Sequence, residues 1–173
     1  AHQMIIKKFF LVAVISISLL HSVLAQTSDF SFSVESPLVI GKTFSFRSEI
    51  MDEERKILVS LPEDYERSTK RYPVISILDS QLFFQFQYDY GVINALEFME
   101  KIPEVILVGV HSEDREMDMV TAPITEGRGG NADKFIEFFR SELQKFVEQQ
   151  YRTQPYKTLI GHSAGGYFAL RTL

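Results

Sequence analysis

The sequence predicts an α/β protein in which a doubly wound sheet follows an antiparallel meander. Two observations favour this architecture. Strands with alternating apolar and polar residues come first, and short continuous β-branched runs follow them. The later runs alternate with segments that have helical periodicity. Continuous apolar strands separated by helices are typical of a parallel sheet that is covered on both faces.

The antiparallel meander is predicted from three segments. FSFSVES (residues 30–36) and TFSFRSEI (residues 43–50) alternate apolar and polar residues at period two, as half-buried strands do. RKILVSLP (residues 55–62) is a third strand, closed by its proline. The charged stretch EDYERSTKRYP that follows predicts a surface loop.

The parallel part of the sheet is predicted from PVISILD (residues 73–79) and EVILVGV (residues 104–110). Residues 82–101 between them are apolar and aromatic, and they are long enough for a crossover helix that Pro103 ends. The sequence Tyr-Asp-Tyr-Gly at residues 88–91 could interrupt this helix.

The clearest helix extends from Asn131 to about Tyr151, because its apolar residues recur on one helical face. Asn131 is suited to cap its amino end. YKTLIGHS (residues 156–163) then gives one more short strand, and AGGYFALRTL (residues 164–173) begins another helix. This alternation completes the pattern of a doubly wound sheet.

The strongest functional signal is GHSAG, a Gly-x-Ser-x-Gly motif at residues 161–165. Ligands of doubly wound sheets collect at the carboxyl ends of the parallel strands, and this motif lies at such an end. A strand before it and a helix after it form the setting that exposes a nucleophilic serine, here Ser163. The N–H of Ala164 would then provide half of an oxyanion hole. The alternative is a simple Gly/Ser turn that closes a βα unit.

The glycines of the motif have a steric role in this interpretation. Gly161 and Gly165 leave room for the strand and the helix to approach each other closely. The helix after Ser163 would add the positive end of its dipole to the site.

Three blocks carry a resemblance to a known family: PVISILDSQLFF, EVILVGVHSEDREMDM and GGNADKFIEFFRSELQKFVEQQYRTQPYKTLIGHSAGG. Over residues 55–173 the chain resembles the amino-terminal part of α/β-hydrolase esterases of the esterase D-like group, which includes siderophore (enterobactin-type) esterases. The resemblance implies an α/β-hydrolase-type sheet and ester hydrolysis through an acyl-enzyme on Ser163, without a cofactor. It also implies a second oxyanion donor after the strand that ends at Asp79. That donor would be the N–H of Ser80, which stands where the family has glycine.

The partners of the nucleophile are missing from this sequence. In α/β-hydrolases the acid and then the histidine follow the serine in the chain. The residues after Ser163 include no Asp, Glu or His. We therefore expect residues 26–173 to form an incomplete domain that is truncated after the nucleophile turn and inactive in this form. The triad acid and histidine would lie beyond Leu173.

Three other residues near the predicted site have alternative interpretations. His111 lies at the carboxyl end of a predicted strand. It has either a structural or solvated role in the loop, or a contact with the substrate. His162 is adjacent to Ser163, so it should point away and shape the turn. Arg115 either holds a loop in place through a salt bridge or meets an anionic group of the substrate. His111 and Arg115 are thus the candidates for substrate binding.

Residues 1–25 predict a leader and secretory signal peptide. Met4 is followed by two lysines, by a twelve-residue apolar run (residues 9–20) and by small residues at Val23 and Ala25. The alternative is a membrane anchor, but a spanning helix needs about 20 apolar residues. We expect cleavage after Ala25 and a secreted or periplasmic protein without a stable membrane anchor.

The composition excludes several other functions. The chain has no cysteine, so disulfides, thiolate catalysis and cysteine zinc sites are excluded, and no metal site is predicted. Its formal net charge is −5 and no basic run follows the leader, which argues against nucleic acid as a partner. The expected partner is a small-molecule ester, with siderophore, short acyl, feruloyl and peptide substrates all open. A non-catalytic hydrolase-like binding module and an acyltransferase remain alternatives, and the oligomeric state is open.

Overall fold

The computed structural model describes residues 37–122 and 129–173. The predicted leader (residues 1–25) and the first predicted strand (residues 30–36) lie outside the described residues. Every described element belongs to one compact unit, Val39–Leu173. Across the described ranges, no helix has the length and apolar character needed to cross a membrane.

The described part of the chain forms a five-stranded mixed sheet. Its strands are β1 (Lys42–Ser48), β2 (Glu53–Ser60), β3 (Tyr72–Leu78), β4 (Ile106–Val110) and β5 (Thr153–Ile160). The spatial order is β1-β2-β4-β3-β5. The pairs β1–β2 and β2–β4 are antiparallel, whereas β3 is parallel to both β4 and β5. The predicted antiparallel entry into a parallel sheet is therefore confirmed.

Helices connect the strands of this sheet. They are α1 (Phe83–Phe98), α2 (Arg115–Met119), α3 (Ala132–Phe138), α4 (Gln144–Gln150) and α5 (Ala164–Arg171). A π-helical segment, Phe139–Leu143, joins α3 to α4, and a short 3₁₀ helix spans Tyr65–Arg67.

The predicted helices are confirmed with local corrections. The helix α1 runs without interruption through residues 88–91. The predicted long helix of residues 131–151 contains a π-helical turn, and Asn131 occupies its amino-cap position without a capping side-chain hydrogen bond. Neither α2 nor the 3₁₀ helix was predicted, because elements of five and three residues are too short to show a period.

Hydrophobic clusters lie on both faces of the sheet. On one face, α3 and α5 contribute Phe135, Phe138 and Phe168, which pack with Val108 of β4. On the other face, α1 contributes Phe86, which packs with Ile77, Leu107 and other residues. The predicted doubly wound arrangement is thus confirmed. Phe168 is 0% exposed and its ring lies 5.0 Å from that of Phe135, so α5 is fixed on the core.

A buried ion pair anchors α2 to the sheet. Arg55 of β2 donates to Asp118 of α2 at 2.7 Å, and their side chains are 2% and 5% exposed. The guanidinium of Arg55 also lies 4.9 Å and 5.3 Å from the ring centroids of Phe135 and Phe138. Burial raises the pKa of Asp118, and the attraction of Arg55 opposes this shift.

The strand β5 forms one edge of the sheet in the described part of the chain. Its residues 154–158 are exposed.

Candidate active site

Ser163 occupies a sharp turn between β5 and α5. The strand ends at Ile160 and the helix begins at Ala164, so the predicted strand–turn–helix setting is confirmed. Ser163 has φ 56° and ψ −117° and is exposed. A non-glycine residue with positive φ is uncommon, and residues held in this conformation cluster at functional sites.

The glycines of the turn allow the strand end and the helix start to come together. A Cβ atom placed on Gly161 would lie 2.3 Å from the carbonyl oxygen of Gly165. A Cβ atom on Gly165 would lie 3.2 Å from Oδ2 of Asp79. The predicted close approach is therefore present, and Gly161 cannot carry a side chain without displacing backbone.

The amino end of α5 leaves a backbone donor for a bound anion. The N–H of Gly165 donates to the carbonyl of His162 at 3.0 Å, and the N–H of Tyr167 donates to that of Ser163 at 3.0 Å. Within residues 37–122 and 129–173, the N–H of Ala164 makes no hydrogen bond. This N–H is therefore available as the predicted oxyanion donor, and the helix dipole would favour negative charge there.

The loop after β3 lies beside this turn. Asp79, the first residue of the loop, has φ 61°. The N–H of Ser80 donates to the carbonyl of Val110 at 3.2 Å, and Ser80 is 6% exposed. The backbone donor that was predicted at Ser80 is thus bonded to β4, inside the sheet. Ser80 also packs on Gly109, where an added Cβ would lie 2.8 Å from that of Ser80.

Arg115 joins this loop to the nucleophile turn. Its Nε donates to Oδ1 of Asp79 at 3.0 Å, and its Nη2 donates to Oδ2 at 2.9 Å. Nη2 also donates to the carbonyl oxygen of His162 at 3.2 Å. The hydrogen bond that Arg115 donates to Asp79 raises the pKa of Arg115 above its ordinary value. Of the two predicted roles for Arg115, these contacts support the one that holds a loop.

Neither of the two described histidines, His111 and His162, forms a hydrogen bond with the serine hydroxyl. His162 is exposed and its carbonyl accepts from Arg115. The N–H of His111 donates to the carbonyl of Lys56 in β2, on the side of β4 away from β3. Burial lowers the pKa of His111, Glu113 opposes this shift, and Lys56 adds to it. Among the described residues, no side chain forms a hydrogen bond with the hydroxyl of Ser163.

The contacts of the Asp79 carboxylate and the Gln81 amide at the site edge were not predicted from the sequence. The side chain of Asp79 is 3% exposed and pairs with Arg115. The side-chain oxygen of Gln81 accepts from the N–H of Ser112 at 3.0 Å. The carboxyl-end rule places both residues at the site edge, but no sequence signal indicates their partners. In the part of the chain that is described, no group of acidic or histidine residues could hold a metal ion.

A mixed sheet with helices on both faces, and an exposed strained serine between a strand and a helix, define the class of α/β-hydrolase-type proteins. Residues 48–173 match the model of the Esterase family, described as "Putative esterase". The chain belongs to this esterase family, as its resemblance to esterases implied.

Solved structures agree with this family. An IroE-like serine hydrolase from Shewanella oneidensis is 31% identical with a TM-score of 0.72, over 77% of this chain and 46% of that one. The BES protein from Bacillus cereus is 23% identical with a TM-score of 0.66, over 81% of this chain and 60% of that one. An enterochelin esterase from Shigella flexneri shares the fold at 20% identity and a TM-score of 0.61, over 79% of this chain and 33% of that one.

The chain therefore spans less than half the length of the Shewanella protein, 60% of the Bacillus protein and 33% of the Shigella esterase. No curated protein matches it.

Proposed function

We propose that this protein is a serine esterase that cleaves a carboxylic ester through an acyl-enzyme on Ser163. The observation that carries the proposal is the exposed serine held at φ 56° between β5 and α5 in a chain of the esterase family. The surrounding structure must hold Ser163 in this unfavourable conformation. A serine that is held in this way and exposed to solvent is typical of a catalytic nucleophile.

The proposed reaction has two stages. The Oγ of Ser163 attacks the ester carbonyl carbon while its proton passes to a general base. The carbonyl oxygen becomes an oxyanion, and its collapse expels the alcohol, which takes the proton back. Water then attacks the acyl-enzyme in the same way, releasing the carboxylic acid and restoring the serine. The base is the histidine that the resemblance places after Ser163, oriented by an acid.

The oxyanion would be bound by two backbone N–H groups. Ala164 supplies one, and we assign the other to Gln81 in place of Ser80. The N–H of Ser80 is bonded to Val110, whereas that of Gln81 makes no hydrogen bond within the described ranges. The side chain of Gln81 is held by Ser112, which fixes the loop. Losing one such donor costs about 2.7–4 kcal/mol of transition-state stabilisation in a serine protease.

Covalent labelling tests the nucleophile. The whole protein that contains this chain would be treated with a fluorophosphonate probe, and the labelled peptide would be identified by mass spectrometry. We expect one adduct, on Ser163, that Ser163→Ala abolishes. Ser45→Ala, at an exposed serine of β1, is the matched control and should label normally. A folded protein that resists labelling, or an adduct that survives Ser163→Ala, would contradict the proposal.

The rate of ester hydrolysis tests whether Ser163 needs the triad histidine as its base. Neither His111 nor His162 bonds to Ser163 in the structure, so we expect the 173-residue chain to lack triad-level hydrolysis of p-nitrophenyl acetate. Losing the histidine of a serine protease triad costs about 10⁶ in kcat. Robust turnover by this chain that Ser163→Ala abolishes would show that another group serves as base. Product analysis separates hydrolysis, which releases an acid, from acyl transfer, which makes a new ester.

We also propose that the protein is exported and that its leader is removed after Ala25. The proposal rests on the charged, apolar and small-residue order of residues 1–25. Amino-terminal sequencing of the protein recovered from the periplasm or medium should begin at Gln26. Exported protein that keeps the leader would contradict cleavage.

A further inference from the structure

Two strained residues lie at the same edge of the sheet. The strands β3 and β5 are parallel neighbours, with Ile77 opposite Ile160 near their carboxyl ends. Asp79 follows β3 with φ 61°, and Ser163 follows β5 with φ 56°. Non-glycine residues hold such angles uncommonly, and at functional sites the surrounding structure fixes them. The loop that carries the proposed oxyanion donor and the turn that carries the nucleophile therefore both need support.

The side chain of Arg115 bonds to both segments. Two of its N–H groups hold the carboxylate of Asp79 in a two-point contact, at 3.0 and 2.9 Å. A third donates to the carbonyl of His162, the residue directly before Ser163, at 3.2 Å. A planar guanidinium suits this geometry, since its donors point in fixed directions. Three of the five N–H donors of an arginine are thus used to join the two segments.

The carboxylate of Asp79 reaches the start of α5 as well. Its Oδ2 lies 3.2 Å from the position that a Cβ atom on Gly165 would take. The side chain of Asp79 is 3% exposed, so water does not compete strongly for it. A negative charge under the first turn of a helix is favourable. The carboxylate therefore lies close to the first turn of the helix that follows the nucleophile, in addition to pairing with Arg115.

The helix that carries Arg115 is itself fixed to the sheet. Asp114 caps α2 by accepting from the N–H of Met117 at 3.1 Å. Asp118 at the other end of α2 pairs with Arg55 of β2 at 2.7 Å in the buried core. Arg115 is thus carried by a short helix that the buried Arg55–Asp118 pair holds on the sheet. Its guanidinium is therefore held in a fixed position at the site edge.

We propose that Arg115 is a positioning residue, which sets the distance between the Ser163 hydroxyl and the oxyanion donors by tying Asp79 to the carbonyl of His162. The inference rests on the proposed function and extends it. Arg115 would not contact the reacting atoms. Its loss would leave the serine present but let the turn and the loop move apart.

The test uses Arg115→Met in the whole protein, with Arg67→Met as the matched control. Arg67 is also paired with an aspartate, Asp64, but both lie on the exposed surface in the 3₁₀ region. Steady-state kinetics with p-nitrophenyl acetate would be compared with the rate of fluorophosphonate labelling. We expect kcat and the labelling rate of Arg115→Met to fall by about 10- to 100-fold, because a displacement of 1 Å can cost about that much. KM should change by less than about threefold, as for an interaction that acts in the transition state.

Arg115→Met leaves the buried carboxylate of Asp79 without its cation, and this could lower stability by itself. The double variant Arg115→Met with Asp79→Asn removes both charges and separates the two effects. We expect it to be as slow as Arg115→Met, because the two residues act as one unit. Arg115→Lys should restore little, since an ammonium cannot make the two-point contact. An increase in KM alone would overturn the proposal in favour of substrate binding.

Hydrogen–deuterium exchange gives a readout that does not depend on catalysis. The peptide covering residues 158–170 should exchange faster in Arg115→Met than in the wild type or Arg67→Met. Unchanged exchange in this peptide would refute the positioning role whether or not the protein is an esterase. If exchange increases but wild-type Ser163 never labels, the positioning role stands and the proposed function fails.

Discussion

The sharpest test of the nucleophile turn is the substitution Gly161→Ala. The new Cβ atom would lie 2.3 Å from the oxygen of Gly165, 2.4 Å from its carbonyl carbon and 2.9 Å from the nitrogen of Gly166. Carbon and oxygen atoms that are not bonded normally stay about 3.3–3.6 Å apart even in close C–H···O contacts. The end of β5 and the first turn of α5 must therefore separate by about 1 Å.

The collision cannot be relieved by a side-chain rotation, because all three contacted atoms belong to the backbone. Moving α5 away would also withdraw Phe168, which is 0% exposed, from its aromatic neighbours. Overpacking costs about 1–3 kcal/mol and occasionally more. We expect Gly161→Ala to lower the free energy of unfolding by about 3 kcal/mol, at the upper end of that range.

Urea unfolding of the whole protein measures this loss, and fluorophosphonate labelling measures its effect on the nucleophile. The control is Gly91→Ala, since nothing lies within 4 Å of a Cβ atom at that position. Gly91 is inside α1, where alanine should add about 0.8–1 kcal/mol. A Gly161→Ala protein that unfolds within about 0.5 kcal/mol of the wild type and labels normally would refute the reasoning.

Two further predictions concern the surroundings of the site. Arg55→Met should lower the free energy of unfolding by about 3–5 kcal/mol, because it leaves the buried carboxyl group of Asp118 without its cation. In urea unfolding, adding Asp118→Leu should recover part of this loss, and a single variant as stable as the wild type would contradict the prediction. Burial lowers the pKa of His111 below its ordinary value of 6.5, so the unfolded chain takes up this proton first as the pH falls. The stability that neutral His111 contributes is thus present above about pH 6.5 and is lost on acidification. His111→Gln should lose less stability than the wild type between about pH 7 and pH 5, and equal slopes of unfolding free energy against pH would show that His111 is not responsible.

The local sequence was enough for most of the elements. Period-two alternation predicted β1, the run that Pro62 closes predicted β2, and continuous β-branched runs predicted β3 and β4. The strand β5 begins at Thr153, three residues before the predicted start at Tyr156. This difference arises because Gln154 and Pro155 have no apolar pattern, and the register with β3 extends the strand. Pairing with a neighbour overrides local propensity at strand ends.

The site was only partly predictable. The motif placed Ser163 and Ala164 at a turn because its spacing depends on contacts within a few residues, between Gly161 and Gly165. The backbone donor predicted at Ser80 depends on which carbonyl of β4 lies opposite it. That question is decided by the parallel register of β3 and β4, which a single sequence does not reveal.

The sequence by itself determined the order of strands and helices, the serine turn and the esterase resemblance, because each of these depends on short-range periodicity or on a contiguous motif. The tertiary structure alone decided which charges meet. Arg55 and Asp118 are 63 residues apart and Arg115 and Asp79 are 36 apart. Ionic contacts of this kind carry no periodic signal, since one arginine and one aspartate suffice and the chain contains many of each. Only the packing of α2 between the sheet and the nucleophile turn selects these partners.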